Sequence, residues 1–375
     1  MFNLKFKKMK RLFVFVPAIV LVLLLLNSFV VKDKAAKEKP IKEGRSPAIA
    51  SIIFKSADGG QTWRDISEGL PERLQKEGMW RDGLLANDQG LYLRAENGVY
   101  HSDPNSATPF WTKEIFPGQQ RNIAPFRDGI LAYNFRGQFL KKVKGTTNWL
   151  PMYTNFQEQA VRLDRTVDWM YKNFKEREVR TVFETAAGTV LIGSSNSLFR
   201  STNGGKTWRQ VHVGDGRLKL AETDGVLLTT SKDGIFRSTD DGQTWGRVLS
   251  EGGDGIAVES IDGGFAAIVH NAINQTNSLH ISLDNGKTWN AIGQELQTSW
   301  SSLLMQKIGL LKSSSDILSI KQMGKYLICG RADGIFRTAD MGKTWQKLLL
   351  PATGNFGFNL SVSGNVIYAI PNKGC

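Results

Sequence analysis

Beyond residue 48 the chain is written in short apolar runs separated by polar or Gly-containing breaks, a pattern that predicts strands rather than helices. One stretch reads Leu218–Glu222, a turn at Asp224-Gly225, Val226–Thr230, then Gly234-Ile235-Phe236-Arg237. The same order returns as Leu318–Gln322, Met323-Gly324, Tyr326–Cys329 and Gly334-Ile335-Phe336-Arg337. Each stretch predicts three antiparallel strands, the third ending in a polar turn from which a fourth departs.

That polar turn is an internal repeat. Ser56-Ala57-Asp58-Gly59-Gly60-Gln61-Thr62-Trp63 recurs as Ser201-Thr202-Asn203-Gly204-Gly205-Lys206-Thr207-Trp208 and as Ser238-Thr239-Asp240-Asp241-Gly242-Gln243-Thr244-Trp245. Ser282-Leu283-Asp284-Asn285-Gly286-Lys287-Thr288-Trp289 and Thr338-Ala339-Asp340-Met341-Gly342-Lys343-Thr344-Trp345 follow. The residue types suit a tight hairpin. The Asp or Asn side chain can accept main-chain N–H groups further on, and Gly supplies positive φ. Trp opens the next strand, where it can pack between sheets. These copies resemble the Asp box of sialidase-type (BNR-repeat) β-propellers, and in those families the box is structural. The resemblance therefore assigns Asp58, Trp63, Asn203, Trp208, Asp240, Trp245, Asp284, Trp289, Asp340 and Trp345 to the scaffold.

Two degenerate copies fill the gap between Trp63 and Ser201: Gly98–Asp103 leading to Trp111, and Gln138–Lys141 leading to Trp149. Seven units of about 47 residues result, in the range of propeller blades. Only one strand pattern, Ile49–Lys55, precedes the first box. Two, Phe358–Val362 and Val366–Ile370, follow the last fourth strand, Thr344–Leu350. Two C-terminal strands joining two N-terminal ones would close the ring in one mixed blade. The expectation is an all-β, seven-bladed propeller of four-stranded antiparallel blades over residues 48–375. Two inserts break the period. Residues 155–178 carry apolar positions at helical spacing, and residues 294–315 are apolar and then Ser-rich.

The formal charge of +13 changes meaning once it is located. Residues 1–45 hold eleven Lys/Arg and three acids, a segment of +8, which leaves +5 for the remainder. Residues 1–11 form a basic region, and residues 12–31 carry no charge. At ~1.5 Å per residue those twenty would span ~30 Å, enough for a bilayer core. The basic flank predicts a cytoplasmic N-terminus, a transmembrane signal anchor at 12–31, a tether at 32–47 and an exported propeller. A cleaved signal peptide, which would release a secreted propeller, is the alternative. With the anchor's charge set aside, the propeller has no basic excess that would point to nucleic acid.

Candidate chemistry is sparse. The four His residues show no metal-ligand spacing, and no phosphate-binding or nucleophile-elbow motif occurs, so neither cofactor nor metal is expected. Cys329 reads as core, with a Cys329–Cys375 bridge left open. The sialidase resemblance would imply an arginine triad, a Tyr–Glu nucleophile pair, an Asp acid/base and a Phe/Tyr-Arg-Ile-Pro motif ahead of the first blades. That motif is missing, and the stretch before Ser56 is too short for it. A binding face, if present, is expected on the loops joining second to third strands and blade to blade, which contain Arg94, Glu96, Arg136, Arg217, Lys232, Asp233, Arg331 and Asp333. In layout the chain is similar to the photosystem II stability/assembly-factor family of seven-bladed Asp-box propellers. That similarity implies a non-enzymatic, membrane-associated binding or assembly module, monomeric as a propeller, with a protein or glycan partner. A divergent glycoside hydrolase acting on surface glycans is the alternative.

Overall fold

A computed structural model describes residues 52–71, 74, 83–88, 90–95, 98–103, 110–116, 122–156, 178–213, 218–273, 276–296, 317–331, 333–349 and 357–372. In chain order, β1 (Phe54–Ser56) and β2 (Arg64–Asp65) come first. Blade 1 comprises β3 (Leu84–Asn87), β4 (Gly90–Ala95), β5 (Gly98–Ser102) and β6 (Thr112–Lys113). Blade 2 comprises β7 (Asn122–Phe126), β8 (Gly129–Tyr133), β9 (Phe139–Val143) and β10 (Leu150–Met152). In blade 3 are β11 (Thr181–Glu184), β12 (Val190–Gly193), β13 (Ser197–Ser201) and β14 (Arg209–Val213). Blade 4 holds β15 (Leu220–Thr223), β16 (Val226–Ser231), β17 (Gly234–Ser238) and β18 (Gly246–Leu249). Blade 5 holds β19 (Gly252–Ile261), β20 (Gly264–Asn271), β21 (Thr276–Ser282) and β22 (Asn290–Ile292). Blade 6 is β23 (Ile317–Met323), β24 (Tyr326–Arg331), β25 (Gly334–Thr338) and β26 (Gln346–Leu348), and β27 (Gly357–Ser363) and β28 (Val366–Asn372) end the series.

These strands form seven four-stranded antiparallel sheets, six of them sequential. The seventh runs β2-β1-β28-β27, with Phe54 opposite Ala369, so the chain's two ends share blade 7 as the repeat count predicts. The innermost strand β27 contacts both β23 and β3, which places blade 7 between blades 6 and 1 and closes the ring. The N-terminal basic region, the anchor and the tether lie outside the described residues. So do most of the insert at 155–178 and the insert at 294–315 beyond a 3-10 turn at Gln294–Leu296.

Among the described residues no single core fills the propeller. Its buried apolar side chains fall into clusters that each lie between two adjacent blades, and one box-position Trp joins every cluster. Trp111 packs between blades 7 and 1, Trp149 between 1 and 2, and Trp208 between 2 and 3. Trp245, Trp289, Trp345 and Trp63 do the same at the 3–4, 4–5, 5–6 and 6–7 junctions. A blade alone would leave both sheet faces in water, so burial is achieved only by stacking.

The box is a hydrogen-bond knot. In the Asp284 copy, Ser282 Oγ donates to Asp284 Oδ1 (2.7 Å) and accepts from Gly286 N (2.8 Å). Lys287 N and Thr288 N donate to the same carboxylate oxygen (3.0 and 2.9 Å), and Thr288 Oγ1 donates to Oδ2 (2.6 Å). The other Asp boxes repeat these contacts. In the Asn copy the amide must donate to Thr207 Oγ1 instead (2.8 Å). The fourth box residue is left-handed in every copy (Gly59 φ 75°, Gly204 68°, Asp241 57°, Asn285 57°, Met341 56°), followed by a left-handed Gly. This geometry turns the fourth residue's carbonyl outward.

The next link is between blades. The residue just before the box reaches that carbonyl in the following blade. Arg200 Nε donates to Asp241 O (2.7 Å), Arg237 Nε to Asn285 O (2.7 Å) and Arg337 Nη1 to Gly59 O (2.8 Å). Arg200 Nη2 also pairs with the Asp241 carboxylate (2.7 Å), which accepts from Thr185 and Thr189 as well. Where blade 5 has Ile281 at the arginine position, the facing box residue is Met341, and the two share an apolar cluster. A second set of links lies on the inner wall. Glu184 accepts from Arg127 N (2.6 Å), Glu222 from Ala186 N (2.8 Å) and Gln322 from Asp262 N (2.5 Å), each across a blade junction.

Arg200→Ala is expected to destabilise the propeller by roughly 2 kcal/mol, read as a lower denaturant midpoint, because it strips charged hydrogen bonds from a half-buried carboxylate. The box carboxylates give a pH signature. Bonds from the Thr62 side chain and main chain hold Asp58 at about 2. Burial opposes the shift at Asp240, but bonds from Thr244, Ser238 and Gln243 outweigh it and set about 2. Asp284, bonded chiefly by Thr288, and Asp340, bonded chiefly by Thr338, also lie well below the usual carboxylate range. Depressed native values stabilise the fold above the unfolded carboxylate value of about 4 and lose that contribution as pH falls toward about 2. Replacing all four Asp by Asn, as nature does at Asn203, should flatten the loss of denaturation midpoint between pH 4 and pH 2.

Candidate binding face

The propeller has two ends. Boxes and first-to-second strand turns share one; second-to-third strand turns and blade connections share the other, the connector end. Glu96 and Arg217 lie outside the described residues. The remaining candidates are distributed around the connector end over blades 1, 2, 4 and 6.

Their environments differ. Arg94 is half-buried near the end of β4 and faces blade 2, where its charge partly offsets the effect of burial on Tyr133. Burial still pushes that phenol up to about 12, and its hydroxyl donates to Arg180 O (3.2 Å). Arg136 is exposed in a loop organised by buried Asn134, whose Oδ1 accepts from Arg136 N (3.0 Å) and Gln138 N (3.1 Å). The Arg136 guanidinium lies 5.8 Å from the Phe135 ring centre. Lys232 and Asp233 are exposed at the tip of the β16–β17 hairpin. Arg331 and Asp333 are the two candidates that the fold brings together, with Arg331 Nε 3.0 Å from Asp333 Oδ1. Arg331 is only 7% exposed, donates to Leu296 O and stacks on Phe336, so its guanidinium is turned into the blade 5–6 junction. Cys329, in the same blade, is fully buried, and burial pushes its thiol up to about 12, which leaves it unreactive.

One cluster escaped the sequence reading. Glu251, in the blade 4–5 connection, accepts from Asn271 Nδ2 (2.8 Å) and Ser278 Oγ (2.8 Å) and lies 2.9 Å from His280 Nε2. Ser, His and Glu together suggest a hydrolytic triad, but the geometry rules it out. A relay needs the acid on one imidazole nitrogen and the serine on the other. Here Ser278 Oγ (3.0 Å) and Glu251 both address Nε2, and Ser278 is 4% exposed. The group ties a connector to the β20–β21 hairpin. No sequence signal marks it, because its members meet only through the strand pairing.

Carboxylates elsewhere on the inner wall are similarly committed: Glu184 and Glu222 to main-chain N–H groups, and Glu259 to Lys321 Nζ (2.5 Å). Among the described residues no group of three His, Cys, Asp or Glu side chains could hold a metal ion.

Burial lowers the His280 value, and Glu251 partly opposes that shift. Glu251→Gln should therefore move the imidazole's titration to still lower pH, read from its C–H shifts by NMR. An upward move would contradict the assignment of Glu251 as its charge partner.

No family model matches the chain, and no curated protein does. Solved structures do match. YCF48 from Cyanidioschyzon merolae is 12% identical with a TM-score of 0.51, over 76% of this chain and 94% of that one. A GH74 xyloglucanase from Xanthomonas campestris is 14% identical with a TM-score of 0.50, over 80% of this chain and 53% of that one. The Neurospora crassa Pan2 WD40 domain is 11% identical with a TM-score of 0.50, over 78% and 89%. At these identities the likeness is one of fold, and the chain stands as an Asp-box β-propeller similar in architecture to YCF48.

Proposed function

We propose that this chain is a non-catalytic binding or assembly module: a monomeric propeller, exported and tethered to the membrane by residues 12–31, that engages a protein or surface glycan through its connector end. If residues 12–31 are removed, the same module is secreted. One observation carries the non-catalytic reading. Among the described residues, Glu184 and Glu222 are spent on main-chain N–H groups of a neighbouring blade and Glu259 on Lys321 of the next, while Glu251 holds the β20–β21 hairpin and Asp333 pairs with Arg331 of its own blade. Glycoside hydrolysis needs two carboxyl groups facing each other across the scissile bond, about 5–10 Å apart. What the candidates offer to solvent is dispersed instead: Arg136 on blade 2, and Lys232 with Asp233 on blade 4. Such groups suit electrostatic docking and specificity better than bond cleavage.

The layout similarity to the photosystem II stability/assembly-factor family points the same way. The fold likeness to a xyloglucanase keeps a divergent glycoside hydrolase as the second reading. Affinity capture with the intact chain from detergent-solubilised membranes separates the two. The expected result is a partner whose recovery falls several-fold with Arg136→Glu and Lys232→Glu, and no turnover of polysaccharide or sialoside substrates. Turnover with no charge-sensitive partner would reverse the assignment.

A further inference from the structure

Where the outer strands run out at the connector end, they carry a pattern that the charged candidates above do not include. Register aligns the blades residue by residue. Phe336 pairs with Lys347 in blade 6, Phe54 with Asp65 in blade 7, Tyr100 with Lys113 in blade 1, and Leu140 with Pro151 in blade 2. Two residues further on, where the outer strand has ended, stand Leu349, Ser67, Ile115 and Tyr153. Leu349, Ile115 and Tyr153 are 87%, 87% and 88% exposed. Side chains this open project from the rim and line no groove.

Blade 7 supplies the exception, and it is informative. Its equivalent residue, Ser67, is buried and accepts the main-chain N–H groups of Ile52 (2.8 Å) and Ile53 (2.9 Å). The N-terminal segment therefore joins the propeller at the one rim station flanked on both sides by projecting apolar residues. Neither blade 4 nor blade 5 continues the pattern: a register shift in blade 4 puts exposed, polar Ser250 at the corresponding position, and in blade 5 it is buried Gly293. Two lysines accompany the pattern. Lys113 and Lys347 occupy matching places, each with its Cε 3.0 Å from where a Cβ would sit on the Gly that opens the third strand (Gly98 and Gly334). Among the described residues neither ammonium has a carboxylate partner.

We propose that this arc of blades 6, 7, 1 and 2 rests on an anionic lipid bilayer, with Leu349, Ile115 and Tyr153 entering the headgroup–acyl boundary and Lys347 and Lys113 pairing with lipid phosphates. The inference rests on the membrane-tether reading above. Chain length and attachment point argue for lipid as the occupant. On the tether reading, the twenty positions between residue 31 and Ile52 would have a coil dimension of about 25 Å, which would hold the arc close to the surface at high effective concentration. Under that constraint a few interfacial side chains and lysines suffice. A bilayer also accepts separate protruding side chains without a preformed cavity, whereas a protein partner would need a matching pocket for each.

The test uses the full chain, with Cys375→Ser, reconstituted with vesicles of zwitterionic or anionic lipid. An environment-sensitive fluorophore is placed at Ile115→Cys, Leu349→Cys or, as the box-end control, Leu283→Cys. The native Cys329 is buried and does not compete. In anionic vesicles, the labels at 115 and 349 should shift to the blue and be quenched by lipid-borne nitroxides, while the label at 283 stays aqueous. Lys113→Glu with Lys347→Glu should abolish that quenching at an unchanged denaturation midpoint. Flotation with the vesicles but aqueous labels at 115 and 349 would overturn the docking and leave the tether standing. Failure to float at all would overturn both. Equal shifts at all three sites would mean general adsorption and overturn the docking. Shifts just as large with zwitterionic lipid, or shifts at 115 and 349 that appear only on adding a protein partner, would do the same.

Discussion

Everything in this propeller depends on the junction between blades. Each four-stranded sheet presents two faces that it cannot bury alone, and every cluster of buried apolar side chains is shared by two neighbours. The box Trp fills that shared layer, and the arginine before the box fixes the spacing by reaching a carbonyl in the next blade. On the inner wall, Glu184, Glu222 and Gln322 reach the opposite way, to N–H groups of the preceding blade. Outer links thus join blades 3 to 4, 4 to 5 and 6 to 7, inner links join 2 to 3, 3 to 4 and 5 to 6, and the two kinds run in opposite directions around the ring. Directionality matters because apolar packing alone would tolerate sliding of one sheet over another.

The outer link is addressed to the main chain. Its acceptor is the carbonyl of a left-handed residue, so the side chain there is free to vary, and Gly, Asp, Asn and Met all occur at that position. A positive φ is uncommon for Met341. Here the surrounding box bonds impose it, and the side chain recovers burial beside Ile281. The Asp241 copy adds a carboxylate to the same place and gathers Arg200, Thr185 and Thr189 around it. One backbone geometry thus supports polar and apolar versions of a single joint.

Much of the scaffold was legible because the box is a local device: its Ser, Asp, Gly, Thr and Trp lie within eight residues and bond mainly to one another. Seven units and the mixed blade follow from counting such devices and the strands beyond them. The connector end was less readable, since its contacts join residues distant in sequence. Arg331 and Asp333 look like surface charges in a hairpin loop, yet the Arg guanidinium stacks on Phe336 and donates to Leu296 O. Ser278, His280 and Glu251 carry no spacing that predicts their meeting. The recurrence of Arg200, Arg237 and Arg337 just before a box was visible, but its target in the next blade was not.

The bond between Arg337 and the Gly59 carbonyl spans 278 positions of chain. Loops this long make slow closing steps, since most of the polymer's freedom must be surrendered before the contact forms. As the chain emerges from its N-terminus, β1 and β2 appear first and must wait, with Phe54 unburied, until β27 and β28 arrive. Blades 1 to 6 can stack in the meantime, each on the one before. Circular continuity is therefore completed only when β27 and β28 arrive, and the Phe54 face of the first strands is among the last surfaces to be covered.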